Sequence, residues 1–345
     1  MNKSIEHFNI SLKELDGPYL FYKNEGLEQI NGQFDEGQFN SIKKFISKED
    51  DVFISVPRLQ AQFSCKVMNV HDTPPHHYQT HNSILAISDI EGDFEYFMAT
   101  LRSQGVIDEN LRWSFGNGHL VILGDIFDRG DLVTEVLWLM YKLDQEALQN
   151  GGRVHIILGN HEVMAMGGDD RYIHKKYRVV TEALGKEYEE LFDKNTIIGK
   201  WLRTKNSIEI IGNTLFVHGG ISLDLYESNF SIEKINELIR SAIDKVDKSR
   251  FSTAERLVMS SNGPLWYRGH VNQSLDLSEL SKILNYYRVE HIIIGHSVVD
   301  KVKSLYNKAI YAIDVRRKKN DEYEALLIEN GQFFRITSKG VKQPI

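Results

Sequence analysis

The chain has 345 residues, with 41 Lys+Arg against 48 Asp+Glu and a formal net charge of −7. That balance argues against a nucleic-acid partner held mainly by electrostatics, because counterion release needs clustered positive charge. A single cysteine, Cys65, excludes an intramolecular disulfide and any all-cysteine zinc or iron–sulfur site, and the 41% apolar and 26% charged content is that of an ordinary globular protein.

Residues 1–17 lack the apolar run of ~7–15 residues that a secretory signal requires. No window approaches the ~18–20 consecutive apolar residues of a membrane span, so a soluble cytoplasmic protein with no membrane partner is the expectation. Up to residue 82 the chain offers short strand-like pieces at 19–22 and 51–56, then a loop-like run at 72–77. Its two prolines, Pro74 and Pro75, disfavour both helix and central strand. Residues 1–82 therefore read as an N-terminal extension packed on a core that spans 83–345.

From residue 83 buried strands alternate with amphipathic helices. The runs 84–88, 120–124 and 154–159 are continuously apolar, as expected of strands covered on both faces. Between the second and third, Val133, Val136, Leu137, Met140, Leu143 and Ala147 recur at helical spacing, which predicts a crossover helix and a βαβαβ unit of an α/β fold. Residues 169–195 are polar and predicted helical, a candidate lid. Strands are expected at 207–211, 214–217 and 291–294, a helix at 232–246, and antiparallel strands in the tail from 309 to 337. Asp93 reads as the N-cap of a helix starting at Phe94, His155 as a core histidine, and His76 and His77 as loop. The run Arg316-Arg317-Lys318-Lys319 reads as a solvated hairpin turn.

Five polar segments sit at the C-terminal ends of predicted strands: SDIEGD (88–93), GDIFDRG (124–130), GNHE (159–162), VHGG (217–220) and GHS (295–297). Strand tips of an open α/β sheet converge on one crevice. Asp89, Asp125, Asn160, His218 and His296 combine carboxylate, amide carbonyl and imidazole, a donor set suited to Mn²⁺, Zn²⁺ or Fe²⁺ rather than Ca²⁺. Arg129 adds a planar donor fork that matches a pair of phosphate oxygens.

These blocks, in this order, resemble the phosphoprotein phosphatase branch of the calcineurin-like metallophosphoesterases, with GDIFDRG and LGNHE the nearest matches and the resemblance covering roughly residues 84 to 300. DGPYLFY near the start, Trp201-Leu202-Arg203 and GPLWYRG (263–269) resemble the Shewanella-like phosphatase subgroup. The resemblance implies an α/β (α+β) sandwich of two mixed sheets flanked by helices, with an N-terminal annex. It implies a metal-dependent phosphomonoester hydrolase, a protein phosphatase acting on phosphotyrosine or phosphoserine/threonine through direct in-line attack by a hydroxide that bridges two divalent ions. By position, Asp89, Asp125 as the bridge, Asn160, His218 and His296 would ligate metal, with the ion served by His296 left open. His161 would be the general acid, oriented by Asp128, and Arg129, Arg268 and Asn160 would face the phosphate. Mn²⁺ is the expected metal, with Fe²⁺, Zn²⁺ or Mg²⁺ as alternatives, and a phosphorylated protein or peptide is the expected partner.

One position departs from the family pattern. Glu91 stands where the family carries a ligating histidine; read as a ligand, it adds a negative charge and hardens the site towards Mn²⁺ or Mg²⁺. Two rival functions follow. A dinucleoside polyphosphate hydrolase would share nearly all of these blocks. A pseudo-phosphatase would keep the fold after the His-to-Glu change had disabled it, but retention of Asp128, Arg129, His161 and Arg268 argues against that reading.

Overall fold

The computed structural model describes residues 15–35, 38–68, 71–80, 82–245, 247–316 and 323–345. In chain order, β1 (Leu15–Lys23), β2 (Gly26–Asp35) and β3 (Gln38–Ile46) form a three-stranded antiparallel sheet, and β4 (Asp51–Val56) and β5 (Ala61–Lys66) form a hairpin. A short strand β6 (His77–Tyr78) follows, then β7 (Ile84–Ile87), α1 (Phe94–Ser103), β8 (His119–Ile122), α2 (Val133–Gln149) and β9 (Arg153–Ile156). Next come α3 (Asn160–Met166), α4 (Lys175–Leu184), α5 (Ile197–Leu202), β10 (Ile208–Ile211) and β11 (Thr214–Val217). The chain continues with α6 (Leu223–Glu227), α7 (Ile232–Ile243), α8 (Thr253–Val258), α9 (Leu277–Tyr287), β12 (His291–Ile294), β13 (Lys303–Leu305) and β14 (Ile310–Ala312). It ends in β15 (Glu324–Glu329), β16 (Gln332–Thr337) and β17 (Lys342–Pro344).

Two six-stranded mixed sheets result, ordered β17-β16-β15-β7-β8-β9 and β13-β14-β12-β11-β10-β6. In the first, β7, β8 and β9 run parallel in register. In the second, β11, β12 and β14 do the same. Strand periodicity explains why the central runs are apolar at every position. Ile84, Ala86 and Val121 of one sheet meet Phe216, Ile293 and Tyr311 of the other in a core between the sheets. The alternate residues Leu85, Ile87, Leu120 and Ile122 belong to the helix-covered core on the outer face. The expected sandwich of two mixed sheets flanked by helices is thus the observed architecture, with each strand pattern serving two layers.

Three expectations need correction. His77 is not loop: with Tyr78 it forms an edge strand that pairs in parallel with Ile210 and Ile211. Such a two-residue strand carries no periodicity and exists only through its partner. Residues 169–195 are not one helix, since regular helix is confined to α4 and a 3₁₀ turn at Tyr188–Phe192, which leaves 169–173 as a loop. In the tail, β14 pairs parallel to β12 as well as antiparallel to β13, while β15 and β16 pair antiparallel as expected. The expected turn at Arg317, Lys318 and Lys319 lies outside the described residues, as do residues 1–14. Asp93 caps α1, its carboxylate accepting from Tyr96 N at 2.9 Å. His155 is a core histidine whose Nδ1 pairs with buried Glu209 at 2.7 Å.

Helix α2 is buried nearly all round from Val133 to Leu143, more than one apolar stripe would require. Its outer face is covered by residues 15–68. The Trp138 indole N–H donates to Pro18 O at 2.8 Å, and Met68 N donates to the Tyr141 hydroxyl at 2.7 Å. Leu20, Leu27 and Val52 share the hydrophobic cluster that holds Val136 and Trp138. Truncating this fully buried indole leaves a large cavity and an unpaired carbonyl. We therefore expect Trp138→Ala to destabilise the fold by about 3–5 kcal/mol, read by urea unfolding, and an unchanged midpoint would contradict this packing.

Candidate active site

The side chains at the strand tips converge at one end of the sandwich. Asp89 follows β7, Asp125 follows β8, Asn160 opens α3 after β9, His218 follows β11 and His296 follows β12. Ligand atoms of Asp125, His218 and His296 lie within 4.8 Å of one another, and so do those of Asp89, Glu91 and Asp125. Asp125 belongs to both groups. His296, whose ion the sequence left open, falls on the His218 side.

The loops that present these groups are held in unusual backbone conformations. Asp89, Glu91, Asp125, Asp128, Arg129 and His296 all have φ between 51° and 72°. The left-handed region costs a non-glycine residue about 1 kcal/mol or more, so the surrounding structure must enforce it. Two glycines allow the loops to touch: a Cβ on Gly159 would collide with Asp125 Oδ1, and one on Gly124 would lie 2.5 Å from Gly159 Cα. Main-chain bonds complete the lattice, with Glu91 N donating to Asp125 O at 2.8 Å and Gly295 N donating to His218 O at 2.8 Å.

The enforcing group that sequence reasoning missed is Glu162. It is fully buried, and its carboxylate accepts from Asp125 N at 2.9 Å, Ile126 N at 2.6 Å, Phe127 N at 3.3 Å and Gly159 N at 2.6 Å. Burial and the Asp125 charge push its carboxyl upward, and the Ile126 and Gly159 donors pull against them. One carboxylate thus ties the Asp125 loop to the Asn160 helix. The available signal was a capping box, Gly159 with Glu162 three residues on, which explains one of these bonds and gives no hint of the others.

Hydrogen bonds also fix how the histidines point. His218 Nδ1 donates to Leu123 O at 2.5 Å, which turns Nε2 towards Asn160 Oδ1 at 3.1 Å and Asp125 Oδ1 at 3.2 Å. A carbonyl behind the imidazole is the usual support of a metal-ligating histidine. Against the opposing effect of burial, Asp125 raises His218 to about 10, so a proton on Nε2 holds the cluster together where a cation could. His296 goes the other way, to about 3, through burial first and then the neighbouring His218 charge and Arg268. Its Nε2 is buried without a hydrogen-bond partner. Burial raises Asp89 well above the usual carboxylate range, with Asp314 and Asp125 adding to the shift. An orphaned imidazole nitrogen, two carboxylates and an amide carbonyl fit divalent cations.

Around this centre lies a cleft of about 630 Å³ lined by Arg129, His161, Tyr172, Arg268 and Asp314 among others. His161 Nδ1 pairs with buried Asp128, which leaves Nε2 3.7 Å from Asp125 Oδ2. Burial lowers His161, but the Asp128 hydrogen bond and the Asp125 and Asp128 charges outweigh it and raise the imidazole overall. The exposed Arg268 donates through Nη1 to His296 O at 2.7 Å. Arg129 forms an ion pair with Glu91, so the position that departs from the family pattern touches both the carboxylate cluster and Arg129. Asp314, at the end of β14, and Tyr172 also line the cleft, and neither was among the expected site residues. Asp314 obeys the same strand-tip rule as the others, whereas Tyr172 lies on the 169–173 loop and carries no pattern. Trp201 and Arg203 are structural instead: Trp201 Nε1 donates to Asp144 at 3.0 Å, and Arg203 spans Phe192 O at 2.6 Å and Asp244 at 2.8 Å.

A family model described as calcineurin-like phosphoesterase matches residues 83–300. Shewanella-like protein phosphatase 2 of Arabidopsis thaliana is 26% identical over 82% of this chain and 83% of its own length. Shewanella-like protein phosphatase 1 of Plasmodium berghei is 30% identical over 62% of this chain and 60% of its own. Among solved structures, the cold-active protein-tyrosine phosphatase of a psychrophilic Shewanella species superposes with a TM-score of 0.87 at 34% identity, covering 96% of this chain and 99% of that one.

Two outcomes follow from the geometry. Glu162→Gln places an amide N–H₂ against two backbone N–H groups; we expect a loss of about 1–3 kcal/mol by thermal unfolding and at least a tenfold fall in kcat, and wild-type values for both would remove Glu162 from its tying role. Because His218 in the metal-free protein is protonated up to about pH 10 and must give up that proton to ligate, Mn²⁺ binding at pH 7 releases protons, and apparent affinity rises with pH. Calorimetric titration in two buffers of different ionisation enthalpy reads this directly; identical heats in both would contradict it.

Proposed function

The chain belongs to the calcineurin-like phosphoesterase family and is a metal-dependent phosphoester hydrolase, and from that premise we propose that it is a protein phosphatase with phosphotyrosine as its preferred substrate. The observation that carries the reading is the convergence, in one cleft, of two ligand clusters sharing Asp125 with the His161–Asp128 pair and with Arg129 and Arg268. The tyrosine preference is supported by the likeness to the Shewanella protein-tyrosine phosphatase over nearly the whole chain.

Asp89, Glu91 and Asp125 would hold one divalent cation, and Asp125, Asn160, His218 and His296 the other. When bound, such a pair supplies charge neutralisation and an acidified water as nucleophile. The remaining chemistry belongs to the chain. Arg129 and Arg268 present guanidinium groups to the phosphoryl oxygens and orient the ester for in-line displacement. Asp128 fixes the His161 tautomer through Nδ1, so the proton on Nε2 faces the cleft, where the leaving oxygen is protonated as it departs. The raised His161 keeps that proton available to higher pH than a free imidazole would. Mn²⁺ is the proposed metal, since an all-carboxylate first cluster favours harder ions than a histidine-containing one.

The test is hydrolysis of a phosphotyrosine peptide with Mn²⁺, after chelation, and in His161→Ala. Activity is expected to vanish on chelation and return with Mn²⁺, and His161→Ala should lower kcat by about 10²–10⁴ with metal content unchanged. Turnover that survives chelation would overturn the reading. So would preferential cleavage of diadenosine tetraphosphate, which would favour the polyphosphate hydrolase.

A further inference from the structure

We infer that Tyr172 is the specificity-determining residue of this cleft, the side chain against which the aromatic ring of a leaving group packs. The inference rests on the phosphomonoesterase reading above and deepens it. Tyr172 is 47% exposed although it lines the cleft, and its ring centroid lies 5.4 Å from that of His161, at an interplanar angle of 57°. The backbone beneath it is fixed: Tyr172 O accepts from Arg129 N at 3.0 Å, so the loop that places the phosphate-facing arginine also places the ring. The ring is held further by the Arg171 guanidinium, 5.5 Å from its centroid, itself gripped by Asp169 through bonds of 2.7 and 2.8 Å.

The position relative to the acid decides what Tyr172 can touch. Protonation requires the leaving oxygen to come within about 2.6–3.2 Å of His161 Nε2. In an aryl phosphate the ring is bonded directly to that oxygen, so it can come within the ~4.5–7 Å centroid separation at which aromatic rings attract. A phosphothreonine or phosphoserine has only one sp³ carbon there before its backbone begins and offers Tyr172 no comparable surface. Trp266 and Tyr267 also line the cleft, but Trp266 is only partly exposed and packs against the hydrophobic core and Tyr267 is buried, so neither is free to serve in the same way.

The experiment compares wild type, Tyr172→Phe, Tyr172→Leu and Tyr172→Ala, each loaded with Mn²⁺, in two arms. Calorimetry with the non-hydrolysable phenylphosphonate and methylphosphonate measures the preference for an aryl group without requiring turnover. Kinetics on one peptide carrying either phosphotyrosine or phosphothreonine measures the kcat/KM ratio. We expect wild type and Tyr172→Phe to prefer the aryl ligand, and the preference and the kinetic ratio to fall about tenfold in both Tyr172→Leu and Tyr172→Ala. Retention of the preference in Tyr172→Leu would show that bulk rather than the aromatic face matters and would overturn the inference, as would equal losses on both peptides. A protein that hydrolyses neither peptide would refute the proposed function, while the calorimetric arm would still decide the role of Tyr172.

Discussion

The site depends first on one buried carboxylate. Glu162 gathers backbone N–H groups from two loops that are far apart in sequence and leaves them no alternative partner in a dry interior. Without it, the loop of residues 125–127 would present three amides to a low-dielectric region, each costing about 1–3 kcal/mol if unpaired. That stabilisation is of the same order as the strain of the left-handed conformations at Asp125, Asp128 and Arg129. The constraint therefore holds Asp125, Asp128 and Arg129 in place together. His161 N donates to Asp125 Oδ1 at 3.0 Å, which closes the same unit from the helix side.

A second unit anchors that loop from outside. Asp131, just beyond it, is clamped by Arg58, whose Nη2 reaches Oδ1 at 2.6 Å, and its carbonyl accepts from Lys176 Nζ at 2.6 Å. Lys176 also pairs with Asp16 at 2.8 Å and Glu135 at 3.6 Å, all three side chains being buried. Buried charges of this kind tolerate no missing partner, because removing one leaves the others uncompensated. Residues from the N-terminal region thereby reach the loop that carries Asp128 and Arg129. On this basis we propose that residues 1–82 act as a brace of the catalytic loop within one folding unit.

Much of this was legible in the sequence because two simple rules governed it. Four-residue strands buried on both faces are largely apolar, with exceptions such as the mutually bonded His119, His155 and Glu209, so the polar residue that ends each run stands out, and those residues are Asp89, Asp125, Asn160, His218 and His296. Helix α2 was legible from its spacing, though not the burial of its second face, because the cover comes from strands distant in the chain. What escaped detection shares one physical character. The reach of Glu162 to the Asp125 loop, the pairing of Glu91 with Arg129, the strand at His77 and the placement of Tyr172 are all set by tertiary neighbours and leave no local period. Asp314 is the exception, since it ends a strand and could have been found by the rule that found the rest.

The electrostatics of the centre complete the case for a cation-binding site. His218 and His296 sit with ring centroids 5.0 Å apart, yet one is raised to about 10 and the other lowered to about 3. Asp125 lies against His218, so a proton there is favoured, while burial first and then the His218 charge and Arg268 disfavour a proton on His296. A cluster built for internal hydrogen bonding would have used both imidazoles as donors, whereas here one nitrogen remains orphaned and one carboxyl, Asp89, is pushed towards neutrality. Divalent charge placed among these groups would favour loss of the His218 proton and ionisation of Asp89, and would give the orphaned His296 nitrogen a partner. The orphaned nitrogen and the mismatched protons are thus features that a divalent cation held among these residues would balance.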